Sequence, residues 1–239
     1  MNSTKKEGDY LISVITCTMR NTNMQNVFEN YLSQMYKEKE LIIVLNQDDM
    51  NIWEWKRKAN KFPNVSVYQL PNWITLGECM NFAVKKAKFD YIAKFDDDDY
   101  YAPYYLTEAM EVFVKTDADI VGKRTVFVYM ENTQSLMLRA KPHMENVRDA
   151  TLVFKKKAWQ VVPFRHLNKK SFWKFQNKAR KKGFKFGITS RYNYTYIRRS
   201  PNEHTFNIND EDFLKKCTFL KKTQDYKKHV RNDPGPEES

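Results

Sequence analysis

The chain has 239 residues, enough to bury one substantial core, so one large domain is expected in preference to two small ones. Apolar residues make up 41% and aromatics 15%, which excludes a disordered class, and six glycines and eight prolines exclude fibrous and low-complexity ones. Lysine and arginine (41) outnumber aspartate and glutamate (29), and the formal charge of +12 suggests an anionic partner: nucleic acid, a phosphate-bearing small molecule or an acidic membrane surface.

Along the chain, the start "MNSTKKEGDY" lacks the apolar core of a secretory signal, which makes the cytosol the expected compartment. "LISVITC" (11–17), "ELIIVL" (40–45), "VSVYQL" (65–70) and "YIAKF" (91–95) are short β-branched or aromatic runs and read as strands. Helical spacing separates them: Phe28, Tyr31, Leu32, Met35 and Tyr36 in one stretch, then Cys79, Phe82, Ala83 and Ala87 in another. Leu106, Met110, Phe113 and Val114 repeat the pattern after the fourth strand. Alternating strand and helix predicts an α/β domain with a mixed, largely parallel sheet flanked by helices, and the near-continuous apolar strands fit burial on both faces. From Asp119 the runs "DIVG", "RTVFVYM" and "TLVF" read as further strands, followed by a basic amphipathic helix over 171–182 that Gly183 can stop. The expected domain covers 8–222, with a nucleotide-binding half (8–122), an acceptor-side half (123–222) and a tail (223–239). Cys17, Cys79 and Cys217 are odd in number and widely spaced, as expected of reduced thiols.

Asp96, Asp97, Asp98 and Asp99 follow the fourth strand directly. In an open parallel sheet, ligands sit beyond the carboxyl ends of the strands. Packed carboxylates repel one another unless a cation holds them, and hard divalent ions prefer oxygen ligands completed by substrate phosphates. A solvated acidic turn at a helix start is the plainer alternative.

The stretches "ISVITCTMR", "ELIIVLNQDD", "LGECMNFAVKKAKFDYIAKFDDDDYYAPYYL" and "DATLVFKKKAW" occur in that order and together resemble glycosyltransferase family 2, the GT-A fold, over about Leu11 to Trp159. The resemblance implies a nucleotide-diphosphate sugar as donor, a divalent metal (Mn2+ or Mg2+), and transfer of the sugar to a glycan or other acidic acceptor, such as a bacterial surface or spore polysaccharide. It places Thr18 at the nucleobase and Gly77 and Asn81 at a nucleotide-side helix start. It makes Asp98 the first metal ligand, with Asp96 and Asp97 serving ribose, metal or metal-bound water, and leaves Asp99 to cap the next helix.

Two departures qualify the resemblance. Many members read the uracil N3–H with an aspartate after the second strand, where this chain has Asn46; an amide both donates and accepts, so cytidine is an expectation beside uridine. The base carboxylate expected at a late helix start is replaced by Ser171 and Phe172, after Lys169 and Lys170. Asp149 is the candidate replacement. His204 resembles a late His-Thr element that reaches metal or diphosphate, and Arg198 and Arg199 are candidate phosphate ligands. A catalytically degenerate nucleotide-binding protein and a nucleotidyltransferase are the alternatives. No nucleic-acid-reading motif occurs, so a basic docking face for an acidic acceptor, or for peripheral contact with a membrane, accounts better for the charge.

Overall fold

The computed structural model describes residues 11–141, 143–199 and 210–233. Its first sheet is built around β1 (Ile12–Thr18), β2 (Lys39–Leu45), β3 (Val65–Gln69) and β4 (Tyr91–Lys94), joined by α1 (Met24–Leu32), α2 (Ile52–Ala59) and α3 (Leu76–Lys86). After β4 come the short β5 (Tyr100–Tyr101), α4 (Tyr105–Lys115) and β6 (Ile120–Gly122). The apolar strands are continuous because helices cover both faces. Leu41, Ile43 and Leu45 of β2 pack with Phe28 and Trp55 on one side, while Ile42 and Val44 pack with Cys79, Met80 and Ala83 on the other. A capping box fixes the start of α3: the Thr75 side chain accepts from the Glu78 N–H, and the Glu78 carboxylate accepts from the Thr75 N–H.

The second half does not form a unit of its own. It continues through β7 (Val126–Met130), β8 (Ser135–Arg139), β9 (Val153–Lys155), α5 (Lys156–Val161) and α6 (Ser171–Lys181). Then follow β10 (Phe186–Ile188), β11 (Tyr194–Arg198), α7 (Asp210–Leu214), β12 (Thr218–Lys222) and α8 (Lys227–Val230). β9 and β10 complete the first sheet, whose order is β10-β6-β9-β4-β1-β2-β3, with β9 antiparallel to both neighbours and the other pairs parallel. A division at 122/123 therefore cuts through one sheet. The remaining strands form a second sheet, ordered β12-β8-β7-β11-β5, that the sequence reading did not separate.

The tail expected from residue 223 is also corrected over its described part. Tyr226 stacks on Tyr129 at 4.3 Å, Val230 is buried, and Arg231 Nε donates to the Tyr100 hydroxyl at 2.8 Å. Gly183 ends α6 at φ +85°, a conformation that favours glycine. Cys17, Cys79 and Cys217 are free thiols.

Candidate functional site

β1 lies between β2 and β4, so the switch of direction in strand order falls at the carboxyl ends of β1 and β4. Thr18 ends one strand, and the aspartate loop leaves the other. Along that loop, exposure alternates. The side chains of Asp96 and Asp98 are 33% and 18% exposed, whereas Asp97 and Asp99 are 6% and 1% exposed. Four identical residues thus divide into two pairs, one open to the crevice and one turned inward.

Each inward carboxylate accepts hydrogen bonds from protein donors at both oxygens. Asp97 Oδ2 accepts from the Thr18 hydroxyl (2.6 Å) and Asn23 Nδ2 (2.9 Å), and its Oδ1 accepts from Arg20 Nη2 (2.8 Å). Asp99 accepts from the Tyr194 hydroxyl and from the Ile197 N–H (3.1 Å), both on β11. Asp99 therefore ties the loop to the second sheet and does not cap α4, whose N-cap residue is Tyr104. Thr18, expected at the nucleobase, is buried with its hydroxyl engaged by Asp97, so its side chain braces the aspartates from below.

A stripe of amides on α1 and just beyond it holds the backbone of the loop. Asn26 Nδ2 donates to the carbonyls of Asp97 (2.8 Å) and Asp99 (2.9 Å). Asn30 Nδ2 donates to the Asp99 carbonyl (2.8 Å), and its Oδ1 accepts from the Tyr101 N–H (3.0 Å). Gln34 extends the stripe, donating to the Ala102 carbonyl (2.9 Å) and accepting from the Leu106 N–H (3.1 Å). The spacing of four residues puts these side chains on one helix face.

The open pair meets cations. Arg20 Nη2 also donates to Asp98 Oδ2 at 2.9 Å, and Lys94 Nζ pairs with Asp96 Oδ1. Burial raises the Asp98 carboxyl to about 6, reinforced by Asp97 and Asp96 and opposed by Arg20. Burial works against the Arg20 and Lys94 cations, yet both pKa values are raised: Asp97 and Asp98 act on Arg20, and Asp96, Asp149 and Asp99 act on Lys94. Lys94 was missed in the sequence. Its signal is a lysine in an otherwise apolar strand, now seen with its Nζ 4.7 Å from the Phe172 ring centroid.

Asp149 sits across from this pair. It opens a short 3-10 turn (Asp149–Thr151) before β9, and the next carbonyl, of Ala150, accepts from the Tyr101 hydroxyl at 2.7 Å. That hydroxyl in turn accepts from the Asp96 N–H at 2.8 Å, so the turn and the aspartate loop share one hydrogen-bonded bridge. Gln176 of α6 donates to Asp149 Oδ1 at 2.7 Å. Burial raises the Asp149 carboxyl to about 6; Lys94 opposes this, Asp96 adds to it, and the Gln176 bond and Arg148 oppose it.

Other expected residues are placed differently. Asn81 is buried, with Oδ1 accepting from Trp159 Nε1 (2.7 Å) and the Phe164 N–H (3.0 Å) and Nδ2 donating to the Phe164 carbonyl (2.9 Å); it is a packing amide. Gly77 is required by close approach, since a Cβ there would lie 1.9 Å from the Arg165 carbonyl oxygen. Ser171, at the expected base position, is buried and donates to that same carbonyl at 2.7 Å. Arg198 is 2% exposed, and its guanidinium lies 4.5 Å over the Phe213 ring. Arg199 stays beside the loop, donating to the Asp98 carbonyl at 3.0 Å. His204 lies outside the described residues. Asn46 Nδ2 donates to the Pro71 carbonyl at 2.8 Å, which fixes the orientation of its amide.

Residues 13–206 match the model of glycosyl transferase family 2. The chain belongs to glycosyl transferase family 2. Within that family, it is 30% identical over 115 residues to the O-antigen biosynthesis glycosyltransferase WbnJ of Escherichia coli, covering 47% of this chain and 45% of the relative. Among solved structures, it is similar to S. aureus TarS 1-349 in complex with UDP-GlcNAc, at a TM-score of 0.62 and 17% identity, covering 86% of this chain and 64% of that one. It is also similar to the mannosyltransferase PcManGT from Pyrobaculum calidifontis in complex with GDP-Man and Mn2+, at a TM-score of 0.61 and 14% identity, covering 82% and 59%. The chain spans less than two thirds of each of these proteins. The family 2 fold and its mixed, largely parallel sheet are as the sequence predicts. No helix among the described residues is long and apolar enough to cross a membrane.

Proposed function

We propose that this family 2 member is a metal-dependent glycosyltransferase that binds a nucleotide-diphosphate sugar at the aspartate loop and transfers the sugar to a hydroxyl of a glycan acceptor. The observation that carries this reading is the alternation of the four aspartates: Asp96 and Asp98 open into the crevice at the ends of β1 and β4, while Asp97 and Asp99 are held inside by protein donors.

The donor set fits a hard divalent cation. Two carboxylates face the crevice, and among the described residues no three acidic, histidine or cysteine side chains converge into a closed cage, so substrate phosphates would complete the shell. Asp98 and Asp96 would hold such an ion, which when bound neutralises charge on the departing diphosphate. Lys94 holds Asp96 in place, and Arg20 spans Asp97 and Asp98. Asn46 presents an oriented amide beside the Thr18 carbonyl, which accepts from the Asn46 N–H at 2.8 Å, and supplies a nucleobase contact.

Asp149 is the base. Its carboxylate takes the proton of the acceptor hydroxyl, whose oxygen attacks the anomeric carbon. The bond from that carbon to the diphosphate oxygen breaks, and the electron pair leaves with the nucleoside diphosphate. A group titrating at about 6 is mostly ionised at neutral pH and a stronger base than an ordinary aspartate.

Binding and hydrolysis of a panel of UDP-, GDP- and CDP-sugars, with and without Mn2+, tests the proposal. Metal-dependent binding is expected, lost in Asp98→Ala at an unchanged circular-dichroism spectrum; normal binding by that variant would overturn the assignment. The buried Ser171 where a base is expected favours a second reading, a nucleotide-sugar-binding protein without transfer, which metal-dependent binding without turnover would support.

A further inference from the structure

Three buried or half-buried cations of the molecule each hold a carboxylate. Lys94 holds Asp96, Arg20 holds Asp97 and Asp98, and Lys123 holds Glu108 at 2.8 Å. A cluster beside Asp149 departs from this pattern. Arg148 immediately precedes Asp149 and directs its guanidinium at two backbone carbonyls, Nε to Arg124 O and Nη2 to Arg139 O, both at 3.2 Å. Five N–H donors are present on a guanidinium, so these two bonds leave others unused. Arg139, at the end of β8, has its Nε buried with no hydrogen-bond partner among the described residues, and its guanidinium lies 4.5 Å over the Phe213 ring. Neither arginine has a carboxylate within ion-pair distance among the described residues.

Two lysines crowd the same place. Burial lowers the pKa of Lys141, and Arg148, Arg139 and Lys216 lower it further. Burial also lowers Arg148 to about 10, with Arg139 adding to the effect. Four cations that repel one another, two of them partly buried, are costly to assemble unless a negative group joins them.

We propose that Arg139, Arg148, Lys141 and Lys216 form an oxyanion subsite for the acceptor, so that the preferred acceptor carries a phosphate or carboxylate close to the hydroxyl that Asp149 deprotonates. The inference rests on the glycosyltransferase reading and deepens it. Position favours the acceptor over the donor diphosphate, because Arg148 adjoins Asp149 in the chain, acts on its carboxylate and bonds the carbonyl at the end of β8, whereas the donor carboxylates carry their own cations, Lys94 and Arg20. Arginine suits the task, since its planar fork pairs with two oxygens of a phosphate or carboxylate.

Calorimetric titration in the presence of UDP and Mn2+ tests the subsite with three disaccharides of equal length, bearing a glycerol phosphate, a glucuronate or no charge. The charged probes are expected to bind at least about tenfold tighter than the neutral one, as a charge-assisted pair predicts. The phosphate and glucuronate arms then separate the two sources of charge. Arg139→Gln and Arg148→Gln should each remove most of that preference, and the exposed Lys141→Gln, which leaves the fold alone, should weaken it about two- to threefold. Affinity for the nucleotide sugar should stay within about twofold of wild type in all three. Equal binding of charged and neutral probes would overturn the proposal, as would a loss of nucleotide-sugar affinity matching the loss of acceptor affinity, which would assign the cluster to the donor phosphates. If wild type binds no nucleotide sugar, the transferase reading fails separately, and the charged-over-neutral comparison still decides whether the subsite exists.

Discussion

The donor and acceptor sides of the crevice handle charge in opposite ways. On the donor side, four carboxylates are interleaved with Lys94, Arg20 and the amides of Asn23, Asn26 and Asn30, and both oxygens of each inward carboxylate accept from a protein donor. On the acceptor side, Arg139 and Arg148 stand together with backbone carbonyls and an aromatic ring, and no carboxylate lies within ion-pair distance of either among the described residues. The first arrangement satisfies its charges with protein groups, and the second is, on the proposal above, left for a ligand to complete. A site that must place a diphosphate to within a fraction of an ångström benefits from the former, while selection among acceptors benefits from the latter.

The sharpest way to break the comparison is to remove the acid–base group on the acceptor side alone. Asp149→Asn should lower kcat by about 10²- to 10⁴-fold and leave donor affinity unchanged, which single-turnover kinetics with separate donor titration would show. In the wild type, kcat/KM should fall as pH drops below about 6, because protonation of Asp149 removes the base. Lys94, Asp96, Arg148 and Gln176 all face that carboxylate and set the midpoint. An acid limb that persists in the Asn variant would assign it to Asp98, whose carboxyl is also raised to about 6, and not to Asp149.

A second variant tests what positions the acceptor side. Gly77→Ala puts a methyl 1.9 Å from the Arg165 carbonyl, the same oxygen that anchors Ser171 at the start of α6. Stability should fall by about 1–3 kcal/mol from overpacking. Since Gln176 lies in the second turn of α6, the kcat loss should exceed any change in donor affinity, and comparing urea melts with kinetics separates the two.

The smallest effect is expected on the donor side. Asn30→Ala removes one of the two side-chain donors to the Asp99 carbonyl and leaves the Tyr101 N–H without its side-chain partner, at about 1–2 kcal/mol. Its functional signature should be a raised donor KM at nearly constant kcat, measured by steady-state kinetics. A change in acceptor KM instead would mean that the two sides are less separate than their contacts suggest.

The central strands were legible because sheets covered on both faces read as continuous apolar runs, as in "LIIVL". The second sheet was not. β8, β11 and β12 mix apolar and basic residues, and β11 pairs with β5 and β7 from distant parts of the chain, which spacing alone does not encode. α2 escaped notice because Ile52, Trp55 and Ala59 are dispersed among charges. At the site, the aspartates announced themselves, but four identical letters conceal which of them point outward. The amides Asn26, Asn30 and Gln34 were readable as one helix face, though not what that face would hold. Arg148 stood in plain view beside Asp149, yet its approach to Arg139 comes from the tertiary fold.

The alternation along the aspartate loop bears on how this segment tolerates change. Losing one of the four aspartates would leave a sequence that still looks acidic. Because exposure switches with every residue, such a loss would exchange the roles of the carboxylates that remain. The ones fitted to Thr18 and Tyr194 would face solvent, and the ones fitted to the crevice would be buried against the wrong donors. The motif is therefore defined by parity as much as by composition, and length here is more constrained than identity.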